Sequence, residues 1–526
     1  MRRRTLLGAT APLLAAPLLA APAIAQPARV IRFVPNTDLP VLDPVANTAA
    51  QTRTHGFLVF DTLYGVDEDY VARPQMVQAH QVASDGMQWE LRLRDGLRFH
   101  DNTPVLARDC IASIRRWASI DGFGATLLAA TDALDAPADR TIRFRLKYPF
   151  PLLPDCLAKV SPSFCAIMPE RLASLPATKP VPELVGSGPF RFVESERIPG
   201  SRLVYARFDG YVPAEGEPSL TSGAKRVEID RVEWVIMPEA ATASAAVQTG
   251  AVDWLESPPP DLLPPLRRDP NLVVRVNDTT GVVPILRFNC LHPPFDNLAI
   301  RKAVLSATRQ RDFMQAFSDD PQSTRTDVGI FCPGTPLAMS SGLAQTEGFA
   351  SIDEARRAIE KAGYRGERVM MMEPTDHPVN SVMAQVGADL FKKLGLHVDD
   401  TAMEAASMFQ RRVNREDVDH GGWSCFPSAV GGDGLINPAV SFLARGDGPK
   451  AWYGWPTDPA LESLRADWYR APDRAAQRAI AERMQLQVLD QAPYLPLGQI
   501  LQPAVMRKDL TGITNGFARF WSVKKA

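Results

Sequence analysis

The sequence predicts an α/β fold made of more than one packed unit. Strand–helix–strand patterns occur in both halves of the chain, at 227–254 and 369–398, and such a connection implies parallel strands. A third pattern, at 89–118, alternates with period two and then changes to the helical period of 3.6. The chain has 526 residues, more than one hydrophobic core supports. We therefore expect two or three units, each with a mixed, largely parallel sheet flanked by helices.

Composition narrows the classes of partner and cofactor. Lys and Arg total 58 against 60 Asp and Glu, a net charge of −2, which argues against nucleic acid or an anionic membrane as partner. The six cysteines form no C-x-x-C pair, and the seven histidines form no H-E-x-x-H or i, i+4 pair. We expect no metal and no cofactor. One or two disulfides are possible in an oxidising compartment, with Cys156 and Cys165 as the local candidate pair, but spacing does not decide this.

Residues 1–25 have the features of an export signal. Arg2, Arg3 and Arg4 precede an apolar run that prolines interrupt, and Ala23-Ile24-Ala25 forms a cleavage site. The Arg pair fits a twin-arginine signal, which exports folded proteins. The alternative is a retained membrane anchor, which the prolines and the cleavage site disfavour. No Cys follows the cleavage site, so we expect a soluble, unlipidated protein of the periplasm.

The elements of the first half follow in order. We expect a strand at 30–34, a helix at about 48–64, and a hairpin in which 89–93 turns at Asp95-Gly96 and pairs with 97–99. A helix should follow, with one apolar face made of Cys110, Ile111, Ile114, Trp117 and Ala118. Further elements are expected as strands at 141–146, 190–192, 227–236 and 250–254 and a helix at 240–249.

The second half repeats this alternation. Asp296 or Asn297 can cap a helix that follows a strand at 285–289. The other expected elements are helices at 352–362, 381–394 and 463–492 (broken at Ala471-Pro472) and strands at 369–372, 396–398 and 493–506.

The sequences of several segments resemble the motifs of a known family. LRLRDGLRFHDNTPVLARDC, at 91–110, resembles the signature of the family 5 solute-binding proteins, the peptide- and nickel-binding subunits of bacterial ABC importers. Four further segments resemble family motifs in matched order: Leu42-Asp43-Pro44, GSGPFRF at 186–192, VIMPEAATASAAVQTGAVDW at 235–254, and PPFDNLAIRKAV at 293–304.

The resemblance implies a two-lobed periplasmic-binding-protein fold, type II-like, with an extra subdomain in the first lobe. The divisions expected from it are a signal peptide at 1–25, lobe I at 26–284 (subdomain at about 48–190), lobe II at 285–492, and a return to lobe I at 493–526.

The resemblance also implies a ligand site between the lobes. Gly422-Trp423 corresponds to a family loop at the ligand, where Trp423 would form a wall; the alternative is a buried structural Trp. Phe426 stands where peptide-binding members carry an Asp that pairs with the peptide amine, although Asp433 could substitute. The ligand-binding residues expected on this basis are Trp423, Ser424, Cys425, Phe426, Asp433, Asn437 and His55; we expect no catalytic residue.

The function expected is that of a monomeric periplasmic binding subunit of an ABC importer. It would take a small solute (peptide, chelate or organic acid) and deliver it to a permease in the inner membrane. A sensory binding protein remains an alternative. A secreted hydrolase is the other rival, but the chain lacks G-x-S-x-G and a metal motif.

Overall fold

The computed structural model describes residues 29–526. The expected signal peptide lies outside the described residues.

The first part of the chain opens with one strand and one helix and then forms a compact unit of its own. Its elements are β1 Val30–Val34, α1 Ala50–Val59, β2 Tyr64–Val66, β3 Ala72–Pro74, β4 Val77–Val82, β5 Gln88–Leu93, α2 Ala107–Ala118, α3 Gly122–Ala130, β6 Thr131–Ala138, β7 Thr141–Leu146, α4 Leu153–Leu157 and α5 Glu170–Ala173.

The middle part completes most of one sheet and starts another. Its elements are β8 Phe190–Phe192, β9 Arg202–Arg207, β10 Arg231–Val235, α6 Ala240–Thr249, β11 Trp254–Leu255, α7 Leu263–Arg268, β12 Leu272–Arg275, β13 Val282–Phe288, α8 Leu298–Ala307, α9 Gln310–Phe317 and β14 Thr324–Arg325.

The last part alternates strands and helices before it returns to the first sheet. Its elements are α10 Ile352–Lys361, β15 Arg368–Pro374, α11 Pro378–Lys393, β16 His397–Met403, α12 Ala405–Arg411, β17 Cys425–Gly431, α13 Pro459–Arg470, α14 Arg474–Gln491, β18 Tyr494–Pro496, β19 Gln499–Ile500, β20 Ala504–Arg507, β21 Leu510–Thr511 and β22 Lys524–Lys525.

Two seven-stranded mixed sheets form the two lobes. The first has the order β12-β20-β11-β1-β10-β9-β8, and the second has the path β14-β19-β13-β17-β15-β16 with β18 paired to β13. Parallel pairs occur at β1–β10, β1–β11, β15–β16 and β15–β17. The predicted mixed α/β fold is confirmed, with a smaller parallel share than expected because the remaining strands pair antiparallel with their neighbours.

The sheets do not follow the expected domain limits residue by residue. The limit placed at 284/285 falls inside β13, and β18 and β19 still belong to the second sheet. The chain passes between the sheets at 275–282 and again at 500–504. These two segments are the crossing segments of the molecule.

The extra subdomain of the first lobe carries a four-stranded antiparallel sheet in the order β4-β5-β7-β6. The predicted pairing of 89–93 with 97–99 is wrong, because β5 lies between β4 and β7. Gly96 does make a turn, at φ +77°, but Leu97 and Phe99 enter the core from an irregular loop. The strand β4 was not predicted.

The helix α2 is confirmed, and its apolar face is buried against this sheet. The N-cap residue Leu106 has an apolar side chain that cannot cap the helix; instead the Asp109 carboxylate accepts a hydrogen bond of 2.8 Å from the Leu106 backbone N–H. This contact satisfies one of the backbone donors that a helix start leaves free. The turn at Gly186-Ser187-Gly188 is structural, because a Cβ on Gly186 would lie 1.9 Å from the Val59 carbonyl oxygen.

Candidate functional site

A cavity of about 150 Å³ lies at the crossing segments, between the two lobes. We call it the hinge cavity. Lobe I contributes α1 and the residues after β11, and lobe II contributes the end of β17. The side chains that give it its chemistry are Arg53, Trp254, Glu256, Asp278, Asp433 and Phe517.

An ion pair spans this cavity from one lobe to the other. Nη1 of Arg53, on α1, lies 2.5 Å from Oδ2 of Asp433, which follows β17. The side chains are 6% and 15% exposed, and the guanidinium also lies 4.2 Å above the ring of Phe517. Such a shielded pair is screened much less by salt than a surface pair. It therefore links the two lobes in this structure.

Two further carboxylates face the same space. Glu256 accepts a hydrogen bond of 2.7 Å from the Asn36 backbone N–H, and Asp278 accepts from the backbone N–H and the hydroxyl of Thr280. Burial raises the pKa of Glu256, and the Asn36 hydrogen bond and Arg53 oppose that rise. Three carboxylates thus surround one lining guanidinium, so the cavity favours a cationic or N–H-rich group.

A second cavity, of about 180 Å³, lies between the subdomain and lobe II. We call it the Tyr70 cavity, after the residue on its lobe I side. Asn437 also lines it, and the Asn437 side-chain oxygen accepts hydrogen bonds from the backbone N–H groups of Ala439 and Val440. Asp433 and Asn437, both expected at the ligand, therefore lie at the two cavities.

The segment at Trp423 lies elsewhere. Trp423 and Phe426 are fully buried in an apolar cluster of lobe II, whose other buried members are Met370, Met372, Met408 and Trp455. The indole N–H donates to the carbonyl oxygen of Arg412 at 3.2 Å. This segment starts β17, whereas the hinge cavity lies at its end, six residues and about 20 Å away.

Ser424 and Cys425 are buried in the same segment. The Ser424 hydroxyl accepts from the Met370 backbone N–H at 3.1 Å, and Cys425 is paired with Phe288 in the sheet. The structure thus brings Trp423, Ser424, Cys425 and Phe426 together inside lobe II, and neither cavity is lined by them.

His55 is a buried histidine of the first lobe. Its ring nitrogens lie 2.9 Å from the Tyr205 hydroxyl and 3.0 Å from the Leu42 carbonyl oxygen. Burial lowers its pKa from 6.5 to about 3, against the hydrogen bond to Leu42. Its neighbour in α1, Arg53, lines the hinge cavity instead.

Because His55 and His100 are buried, we expect acid to destabilise the protein. Burial also lowers the pKa of His100 to about 4. Because both histidines take up protons more readily when unfolded, stability should be lost as the pH falls below about 6.5. We expect each histidine to contribute a loss on the order of 1–2 kcal/mol between pH 7 and pH 5. Urea unfolding at the two pH values measures this, and His55→Gln should show a smaller loss than the parent. An equal loss in both proteins would contradict the assignment to His55.

Sequence reasoning missed Arg53, Glu256, Asp278 and Phe517. They come from four separate segments that only the closed fold brings together. No local motif or residue spacing predicts these four positions. A single Arg in a helical pattern, such as Arg53, is usually read as a solvent-facing residue. Asp433 could be named in advance because a resemblance pointed to that loop.

The described residues show no other type of centre. Within 29–526 there is no group of three or more His, Cys, Asp or Glu side chains arranged to hold a metal ion. All six cysteines are free thiols, including the candidate pair Cys156 and Cys165. No helix in this part of the chain combines the length and the apolar character needed to cross a membrane.

The sequence is similar to that of a known family of proteins. Residues 72–450 match the model of the bacterial extracellular solute-binding proteins, family 5. A probable peptide ABC transporter periplasmic-binding protein of Sinorhizobium fredii is 35% identical over 93% of this chain and 92% of its own length. A glutathione-binding protein of Pectobacterium atrosepticum is 23% identical over 90% of this chain and 88% of its own.

Solved structures share the fold. The periplasmic binding protein DppA of Helicobacter pylori, in complex with the peptide STSA, aligns with a TM-score of 0.76 at 19% identity, over 94% of this chain and 98% of its own. The binding protein AgaA of Agrobacterium tumefaciens, in complex with agropinic acid, aligns with a TM-score of 0.75 at 20% identity, over 94% and 99%. The chain belongs to the family 5 bacterial extracellular solute-binding proteins.

Proposed function

We propose that this protein is the periplasmic binding subunit of an ABC importer for a peptide or peptide-like solute carrying a free amino group. The observation that carries this proposal is the acidic hinge cavity between the lobes. A ligand amine placed there would add charge-assisted hydrogen bonds to Glu256, Asp278 and Asp433. The names of the relatives and of the solved complexes support the same class of ligand.

The structure suggests how capture would work. Residues of lobe I and of lobe II line the same cavity, so a bound solute stabilises the closed arrangement of the lobes. A closed binding protein would then deliver the solute to a permease in the inner membrane. We propose that the protein acts as a monomer, after removal of the signal peptide, and without catalytic chemistry of its own.

The site we propose differs in part from the sequence expectation. Asp433 and Asn437 would contact the solute, together with Arg53 and Glu256. The segment at Trp423 would support β17 from inside lobe II, and His55 would hold α1 against β9. We place the lobe limits at the crossing segments rather than at single residues.

A ligand screen tests the function. Native mass spectrometry of the purified mature protein should show a co-purified solute, and dipeptides or tripeptides should raise the melting temperature according to RT ln(1 + [L]/Kd). N-acetylated versions of the same peptides are the matched controls, and they should lose most of the shift because they carry no amine. Metal chelates and organic acids complete the screen. Flat melting curves for every compound and no retained solute would refute solute binding.

Removing the acidic side chain from lobe II should weaken the ligand. We expect Asp433→Asn to reduce peptide affinity by about ten- to hundredfold, the value of a charge-assisted hydrogen bond. Isothermal titration calorimetry measures the change. Asp209→Asn is the matched control, because that carboxylate is 83% exposed on lobe I. Equal affinity in Asp433→Asn and the parent would place the amine elsewhere.

A further inference from the structure

The Tyr70 cavity is built by two parts of the molecule. The subdomain contributes Tyr70 and, near α4, Leu152, Asp155 and Ala158, and lobe II contributes Val440 and Trp468. At about 180 Å³ it is somewhat larger than the hinge cavity. An apolar cavity of about 150 Å³ in a protein interior accepts a benzene molecule. The Tyr70 cavity therefore has room for an aromatic or branched side chain.

The two cavities are neighbours. Asp433, in the hinge cavity, belongs to the 3₁₀ turn Gly432–Leu435, and Asn437, in the Tyr70 cavity, follows that turn by two residues. On the other lobe, the hydroxyl of Tyr70 lies close enough to Asp433 and Asp278 for their charges to act on its pKa, which burial raises. Tyr70 also has φ +56°, a left-handed conformation that a bulky residue seldom adopts. Such strain is concentrated at functional sites.

The lining of the Tyr70 cavity is mainly apolar, with one carboxylate, Asp155, beside the basic side chains of Lys159, Arg474 and Arg478. Within residues 29–526 no other residue donates a hydrogen bond to the carboxylate of Asp155, and no cation lies within 4.0 Å of it. Burial raises the pKa of Asp155, and Arg474 opposes this from lobe II. All three N–H donors of the neighbouring Lys159 are in use, because its ammonium contacts Asp121 at 2.5 Å and two backbone carbonyl oxygens. Asp155 is partly exposed and receives no hydrogen bond from the described side chains, so an N–H of an occupant can donate to it.

We propose that the Tyr70 cavity is a second ligand subsite, which holds an aromatic or branched apolar group that carries an amide N–H. The apolar group fills the space between Leu152, Ala158 and Val440, and the N–H donates to Asp155. This inference rests on the proposed function for the identity of the whole solute. The amine of a short peptide would occupy the hinge cavity, and an apolar residue that follows it would occupy the Tyr70 cavity. The subdomain thereby takes part in selecting the solute.

A small probe tests the subsite separately from peptide binding. Benzamide has the required ring and amide, and calorimetry or saturation-transfer NMR on the full mature chain detects its binding. We expect Ala158→Phe, which fills the cavity, to weaken benzamide at least about tenfold. Val440→Phe fills the same space from lobe II and provides a second variant if the first does not fold. Val386→Phe adds the same bulk to a groove on the outer side of lobe II and is the matched control.

The role of Asp155 has its own readout. Asp155→Asn should weaken benzamide several-fold, the difference between a charged and a neutral acceptor, and should leave toluene binding unchanged because toluene has no N–H. An equal loss of both probes would contradict a hydrogen bond to Asp155. No benzamide binding to the parent protein, or binding that both filling variants retain, would overturn the subsite.

Peptides connect the subsite to the function. Ala-Phe-Ala should bind more tightly than Ala-Ala-Ala by at least about tenfold, and Ala158→Phe should remove this difference. If neither peptide binds but benzamide does, the peptide function fails and the subsite stands. If both peptides bind equally and the filled variants behave like the parent, the subsite fails and the function stands.

Discussion

Trp423→Ala should lower the free energy of unfolding by about 3–5 kcal/mol, the cost of truncating a large buried aromatic side chain. Trp423 is fully buried and packs edge-on against Phe426 at a ring distance of 4.9 Å. Its removal leaves a cavity inside lobe II and takes away the N–H that donates to the Arg412 carbonyl oxygen. Urea unfolding measures the loss. The fraction that remains folded should bind the solute with unchanged affinity, because the hinge cavity lies at the other end of β17.

The matched control is Phe409→Ala on the same lobe. Phe409 is 43% exposed, so its truncation should cost no more than about 0.5 kcal/mol. If Trp423→Ala instead lowers the affinity for the ligand and leaves the free energy of unfolding unchanged, Trp423 belongs to the ligand site.

Lys225→Met should cost about 3–5 kcal/mol of stability, because it leaves a buried carboxylate without its cation. Nζ of Lys225 lies 2.7 Å from Oδ1 of Asp61, and the two side chains are 0% and 1% exposed. Burial alone would raise the pKa of Asp61, but Lys225 and the Tyr211 hydroxyl hold it below its ordinary value. Lys225→Met removes the largest of the groups that compensate for the burial of the Asp61 charge and leaves only the weaker hydrogen bonds.

A double variant separates the pair from its surroundings. Lys225→Met with Asp61→Leu should recover most of the loss, because two apolar groups in place of a buried ion pair are often tolerated. Lys524→Met removes an exposed pair with Glu228 and should change stability by less than about 1 kcal/mol. Urea unfolding of the four proteins gives the values. A double variant no more stable than Lys225→Met would show that the loss does not come from an unpaired Asp61.

Sequence patterns predicted the elements whose period was long and regular. The helix α6 and the strands β1 and β7 have the expected bounds, and α2 buries the expected face. Patterns failed where a strand had no alternation of apolar and polar residues. β4 is exposed along most of its length, and it is held by its pairing with β5 and by the hydrogen bond between His80 and the Tyr64 hydroxyl.

The site was less predictable than the fold for a physical reason. Hydrophobic periodicity reports which face of an element is buried, whereas a cleft is formed by side chains that distant segments bring together. Arg53 and Asp433 are 380 positions apart in the chain, and neither local sequence predicts their 2.5 Å contact. The resemblance predicted that Trp423 and Asp433 both lie at the ligand. In the structure they lie at opposite ends of β17: Trp423 is buried inside lobe II, and Asp433 lines the hinge cavity.

The position of β20 in the first sheet sets an order of events during synthesis. β20 lies between β12 and β11, and both pair with it antiparallel. Until residues 504–507 have left the ribosome, the strands of lobe I at 254–255 and 272–275 are not joined. The second sheet, at 282–500, needs β18 and β19, which precede β20 by only a few residues, so one stretch of chain, 494–507, completes both sheets. Both lobes therefore wait for this stretch before they are complete, and an export route that accepts folded proteins, which the N-terminal arginine pair predicts, is compatible with that delay.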